Sequence, residues 1–127
     1  MATHDYAELA RQFTQAYYEF LNGDVYKLAG VYRDNSMLTF ESDSFLGASS
    51  IVEHYNKQKV EGKVVVPATQ DAQPSNDQGG VIVLVTGLIE IHTPDEVQSF
   101  KFSQVFQLLQ DAQGFFVFND VFKLVYG

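Results

Sequence analysis

Two of the C-terminal β-type runs are apolar on both faces, and that constrains the fold more than any motif does. In residues 81–91, Val81, Val83, Val85, Ile89 and Ile91 share one face of the strand period, while Ile82, Leu84 and Leu88 share the other. Residues 115–126 repeat the arrangement, with Phe116, Phe118, Phe122, Leu124 and Tyr126 at even positions and Val117, Val121 and Val125 at odd ones. Helices on one side of such a sheet leave the other apolar face to be covered by something else. The simplest cover is a second copy about a two-fold axis, so the sequence predicts a homodimer through the sheet, with Leu84 and Val121 in the interface.

The first half of the chain follows a helical period instead. Tyr6, Leu9, Ala10, Phe13, Ala16, Tyr17, Phe20 and Leu21 recur at spacings of three and four, opened by Asp5 and Glu8 as a capping pair and stopped by a left-handed Asn22-Gly23. Val25, Leu28, Ala29 and Tyr32 predict a second helix closing at Asp34-Asn35, and Ser36 to Glu41 alternates like a strand. Ser42-Asp43-Ser44 reads as a turn, Phe45-Leu46 as a short return, and Ser50 with Glu53 as the cap of a third helix through Ile51, Val52 and Tyr55.

Four long strands follow, over residues 63–69, 81–91, 97–109 and 115–126, joined by short polar turns that make neighbours antiparallel. Helices first and strands last is the α+β pattern, here one domain over residues 1–127 with a bent antiparallel sheet on three N-terminal helices.

Eight basic against sixteen acidic residues give a net charge of −8, which repels a nucleic-acid backbone or an anionic membrane and favours a basic partner. With no Cys there is neither a disulfide framework nor a thiolate metal site. The start lacks the blocks of a signal peptide, and no apolar run reaches the roughly 18 residues of a membrane span, so the sequence predicts a soluble intracellular protein.

Catalytic motifs are scarce. Gly79-Gly80 stands alone, without the strand, helix and Lys of a phosphate loop, and no nucleophile elbow is present. His4, His54 and His92 lack metal-ligand spacing and read as solvated side chains, so no metal and no cofactor is expected. Asp120 is different, because its even position sets a carboxylate among Phe116, Phe118 and Phe122. It is either a cavity acid or base near Tyr17 or Tyr32, or a hydrogen-bond hub that fixes the first helix to the sheet, and if its face is the core desolvation raises its pKa unless a donor pairs with it. Glu41, Glu90, Asp95 and Glu96 lie at strand ends and turns, where solvated carboxylates are ordinary.

Several blocks, in this order, resemble the nuclear transport factor 2 family. They are residues 13–18 (FTQAYY), 28–32 (LAGVY), 36–41 (SMLTFE), Gly47 with Ile51-Val52-Glu53, 71–74 (DAQP), 102–106 (FSQVF) and 118–122 (FNDVF), spread over nearly the whole chain. The resemblance implies a cone-shaped, cystatin-like α+β fold that dimerises through its sheet. It implies a carrier, not an enzyme, that takes the small GTPase Ran in its GDP-bound form into the nucleus and binds phenylalanine-glycine repeat nucleoporins on the way. Such a protein works in cytoplasm and nucleus and gathers at the nuclear pore.

By the same resemblance an aromatic of the GTPase enters the mouth of the cone. Phe40, Ile89 and Phe122 match its apolar lining, with Phe100 beside them, and Glu41 matches a rim carboxylate. Asp95 and Glu96, in a rim loop that reads as lengthened after Glu90, take the acidic role there, and Tyr6 matches the nucleoporin-binding aromatic. Residues 56–62 (NKQKVEG) lack the apolar segment the family places after its third helix, which predicts a more polar mouth. The same cone fold also hosts isomerases and dehydratases, which would use Asp120, and a heterodimeric branch of adaptors in messenger RNA export.

Overall fold

The computed structural model describes residues 5–126, so the prediction made for His4 lies outside the described residues. Six strands, β1 Tyr32–Phe40, β2 Asp43–Leu46, β3 Lys63–Pro74, β4 Val81–His92, β5 Val97–Asp111 and β6 Gly114–Val125, form one bent sheet in the order β2-β1-β6-β5-β4-β3, with the helices on its inner face.

Helix α1, Asp5–Asn22, turns Ala10, Tyr17, Tyr18 and Leu21 inward, and Glu8 pairs with Arg11 and Gln12 on its outer side. Its end differs from expectation, since Gly23 is not left-handed. Instead Gly23 N–H donates to Phe20 O at 3.2 Å, and the Asn22 amide brackets Val65, donating to its carbonyl at 2.7 Å and accepting its N–H at 3.0 Å. The helix stops where its last side chain is tied to strand β3.

The predicted second helix is a six-residue 3-10 helix, Val25–Gly30, capped by Asp24, whose side chain accepts from Tyr26 N–H. Tyr32 already belongs to strand β1, Tyr32–Phe40, so Asp34 and Asn35 do not close a helix. They fall in a register shift between Tyr32 and Met37, where Ser36 Oγ accepts from Arg33 N–H and donates over 2.5 Å to Val117 O. Pairing with strand β6 outweighs the local turn preference of Asp-Asn.

The turn after β1 sits at Glu41 and Ser42, both at positive φ, and strand β2 is Asp43–Leu46. Helix α2, Ala48–Val60, begins after Gly47 at φ 90 without a side-chain cap, so Ser50 and Glu53 do not open it. Its start is set by Gly47 N–H donating to Ser36 O at 2.8 Å.

The remaining strands are β3 Lys63–Pro74, β4 Val81–His92, β5 Val97–Asp111 and β6 Gly114–Val125. β3 runs past its predicted end, pairing Asp71 to Pro74 with Val81 to Leu84. It is an edge strand, where Pro and polar residues are tolerated. All neighbours are antiparallel except β1 and β6, which run parallel, a departure from the antiparallel sheet expected.

Two sequence-based face assignments change. A bulge between Gln107 and Leu108 makes Phe118 an extra residue and moves Val117 to the inner face, so Phe116 and Phe118 do not share a face with Asp120. Phe116 instead lies under the Arg33 guanidinium at 4.9 Å. His54 is not a solvated side chain, being half-buried with its ring 4.4 Å from Phe45 and 4.6 Å from Phe40.

The outer face of the sheet keeps the apolar character read from the sequence. Thr39, Val121, Val105, Leu84 and Asp71 follow one another across five strands in register. Leu84 and Val121 are 44% and 46% exposed, and Val66, Leu88 and Val125 lie on the same face.

Candidate functional site

The candidate mouth starts from a ladder of rings. Phe40 ends β1 beside Phe122 of β6, and their rings stack at 4.5 Å, only 10° from parallel. Phe122 stacks in turn on Phe102 of β5 at 5.0 Å and 7°. Ring pairs of this kind add about 0.5–1.5 kcal/mol each beyond their buried area. Above the ladder α2 contributes Tyr55, edge-on to Phe40 at 6.1 Å.

A hollow opens beside Phe40, walled by Leu21, Tyr55, Val65 and Ile89 and bordered by Gln58, Lys59 and Lys63. Of the predicted lining, Phe40 and Ile89 face this hollow, while Phe122 forms the floor under Phe40. Phe100, 37% exposed, pairs with Ile89 across β4 and β5 but does not border the hollow. Gln58 and Lys59 in the border agree with the polar mouth expected from residues 56–62, and Val60 is 78% exposed.

Glu41, the rim carboxylate expected from the resemblance, is fixed by β6 and is not among the residues that border the hollow. Its N–H donates to Phe122 O at 3.0 Å, its Oε2 accepts from Leu124 N–H at 3.0 Å, and Lys123 Nζ stands 3.7 Å away. The hairpin after Glu90 has a short tip, since pairing continues to His92 and resumes at Val97. Thr93 closes it by donating its N–H to Glu96 O at 3.0 Å. Asp95 and Glu96 are exposed on this tip, and Glu90 pairs with His92 at 3.2 Å. Tyr6 lies in the first turn of α1, half-buried against the core.

Asp120 is fully buried and does not border the hollow. Its Oδ2 accepts from Tyr32 at 2.8 Å, Tyr55 at 2.9 Å and Tyr17 at 3.3 Å, and its Oδ1 from Gln104 Nε2 at 2.8 Å. Gln104 is held by Tyr18, which donates to its Oε1 at 2.7 Å. Desolvation raises the Asp120 pKa to about 6 against these donors, and burial pushes all four tyrosines well above their usual value. This is the hub reading: α1, α2, β1 and β5 are tied to one carboxylate of β6.

The sequence placed Tyr55 only in the third helix and Gln58 and Lys59 only within the polar stretch 56–62, although their spacing of three and four puts them on one face of α2. Gln104 lay hidden in a strand with no local signal. Among the described residues, no group of three or more His, Asp or Glu could hold a metal ion, and no helix is long and apolar enough to cross a membrane.

The sequence profile of the nuclear transport factor 2 (NTF2) domain matches residues 9–124. The chain belongs to the nuclear transport factor 2 family. It is 48% identical over 125 residues to nuclear transport factor 2 of Neurospora crassa, a match spanning 95% of this chain and 96% of that protein. With nuclear transport factor 2 of Davidiella tassiana it shares 44% over 125 residues, 96% of each chain. The solved structure of nuclear transport factor 2 from Cryptosporidium parvum superposes with a TM-score of 0.81 at 36% identity, covering 94% of each chain. The cystatin-like α+β cone expected from the sequence is therefore the fold of this member of the nuclear transport factor 2 family.

Proposed function

We propose that this chain is a nuclear import carrier that binds the small GTPase Ran in its GDP-bound form, and that it does so without catalysing a reaction. The observation that carries the reading is the mouth itself, where Phe40 stacks on Phe122 beside Ile89, with the Glu41 carboxylate, next in the chain after Phe40, held by Leu124 N–H. An aromatic of the GTPase fills the hollow, while Glu41, with Asp95, Glu96 and Phe100 on the neighbouring strands and tip, meets basic and apolar groups around it. The net charge of −8 speeds encounter with a basic partner face.

Selectivity for the GDP state follows if the inserted aromatic belongs to a switch segment that rearranges with the γ-phosphate. No phosphate contact by the carrier is needed. Tyr6 at the start of α1 serves weak, quickly released contacts with phenylalanine-glycine repeats, which suits movement between cytoplasm and nucleus through the pore.

The carrier works as a homodimer. Leu84, Leu88, Val66 and Val121 on the outer sheet face form an apolar surface of the kind that a two-fold copy of itself covers.

The test is a calorimetric titration with Ran loaded with GDP, beside Ran loaded with a non-hydrolysable GTP analogue. Binding of the GDP form alone, one GTPase per subunit, supports the carrier. No binding of either form by the folded protein removes it.

A further inference from the structure

The outer face of the sheet carries charges among its apolar side chains, and they are sorted by strand. Asp71 stands on β3 and Glu90 on β4, whereas Lys101 stands on β5 and Lys123 on β6. The register puts all four on this face. Asp71 lies opposite Leu84, and Lys101 lies between Leu88 and Val125. Glu90 is two residues beyond Leu88 and Lys123 two beyond Val121, so each shares the side of its apolar neighbour.

Two acidic and two basic side chains balance here, although the chain as a whole has a net charge of −8. The excess of acid lies elsewhere, so two copies that meet through this face avoid the net repulsion between their remaining surfaces.

Balance alone leaves the orientation of a second copy open, and the sorting by strand decides it. A two-fold axis running across the strands lays each strand over its own copy, so that Lys strands face Lys strands and acidic strands face acidic ones. An axis running along the strands, between β4 and β5, lays β4 over β5 and β3 over β6 of the second copy and keeps each residue at its own level. Asp71 is level with Val121 through Leu84 and Val105, and Glu90 is level with Ser99. In that arrangement Lys123 of the second copy stands one row from Asp71, and Lys101 of the second copy one row from Glu90. One row is about 7 Å, a step that a lysine side chain spans between sheets about 10 Å apart. The shallow hollow of about 410 Å³ at Asp71, Leu84 and Val105 then receives the exposed Val121 of the second copy.

Contacts within the chain do not tie these charges down. Glu90 pairs with His92 at 3.2 Å and Lys123 with Glu41 at 3.7 Å, partly exposed pairs that contribute little. Among the described residues, Asp71 and Lys101 hold no ion pair.

We propose that the second copy docks on the outer face in one orientation, with its two-fold axis along the strands between β4 and β5, selected by Asp71 and Glu90 of each copy meeting Lys123 and Lys101 of the other. This rests on the homodimer reading and adds to it the device that fixes the geometry.

The experiment measures the dimer dissociation constant of the full chain by sedimentation equilibrium, for wild type, Asp71→Lys, Lys123→Glu and the double variant. Both positions are exposed, so the core is left intact, and circular dichroism checks the fold. Each single change sets like charges together at two symmetric places and is expected to weaken the dimer about fivefold or more, while the double variant returns to within about twofold of wild type. The rescue has to cross the interface, because within one subunit β3 and β6 are three strand spacings apart, about 14 Å. Single variants that dimerise as tightly as wild type, or a double variant no tighter than the weaker single, overturn the proposed orientation and leave the dimer standing. A wild type that stays monomeric at the highest attainable concentration removes the homodimer reading, and this inference with it.

Discussion

His92 donates its backbone N–H to the carbonyl of Gly62 over 2.9 Å, clamping the turn after α2 onto the end of β4. Gly62 stands at φ +85, and a Cβ there would lie 2.5 Å from His92 O, so neither its conformation nor its neighbour admits a side chain. The wall of the mouth that carries Gln58 and Lys59 is set by this one glycine.

Gly62→Ala is therefore expected to destabilise the fold by more than the roughly 1–2 kcal/mol of a left-handed L-residue, since the clash with backbone adds to it. Urea unfolding of variant and wild type at equal protein concentration measures this. A loss under about 1 kcal/mol would mean that the turn relaxes freely and does not hold the mouth.

How far the sequence carried depended on whether a feature was local. The period of α1, the two-faced strands and the buried position of Asp120 are written in spacing along the chain, and they hold. The parallel pairing of β1 with β6 is a long-range contact, and no spacing rule announces it. The bulge that removes Phe116 and Phe118 from the Asp120 face arises where β5 and β6 slip by one residue, which depends on both strands together. Gln104 joined the Asp120 cluster for the same reason. At the mouth, Phe40, Ile89, Phe122 and Glu41 came from family resemblance, whereas Gln58 emerged only with the packing of α2.

Val121→Glu puts a charge in the exposed apolar row, beside Val105 of the neighbouring strand. In a two-fold dimer each copy adds one, so like charges are desolvated together. Sedimentation at micromolar concentration is expected to show a dimer for wild type and a folded or partly folded monomer for the variant. An unchanged dimer would move the interface off this face.

Glu41→Lys reverses the rim charge and also removes the acceptor of Leu124 N–H, so it tests two things at once. Glu41→Gln keeps an acceptor and removes only the charge. For both, binding of GDP-loaded Ran is expected to weaken, at least tenfold for Lys and less for Gln, with the Gln variant less sensitive to salt than wild type. Undiminished binding by folded Glu41→Lys would take Glu41 out of the site.

Asp120 gives a pH dependence with a definite sign. The free carboxyl ionises near 3.8, but in the fold desolvation holds its proton up to about 6, because its described donors are neutral tyrosines and Gln104. Between those values the folded state binds more protons than the unfolded one. Its contribution to stability is thus fullest below the unfolded value, falls as pH rises, and levels off above the folded one. The gap corresponds to about 3 kcal/mol. Asp120→Asn has no such titration, so unfolding from pH 4 to pH 7 should shift the difference between the two proteins by roughly 2 kcal/mol in the variant's favour. Tyr32→Phe removes a donor that lowers the Asp120 pKa, so in that background the fall should move to higher pH. A pH-independent difference between wild type and Asp120→Asn would mean that Asp120 ionises in the fold as readily as in water, and that its buried donors offset the whole cost of desolvation.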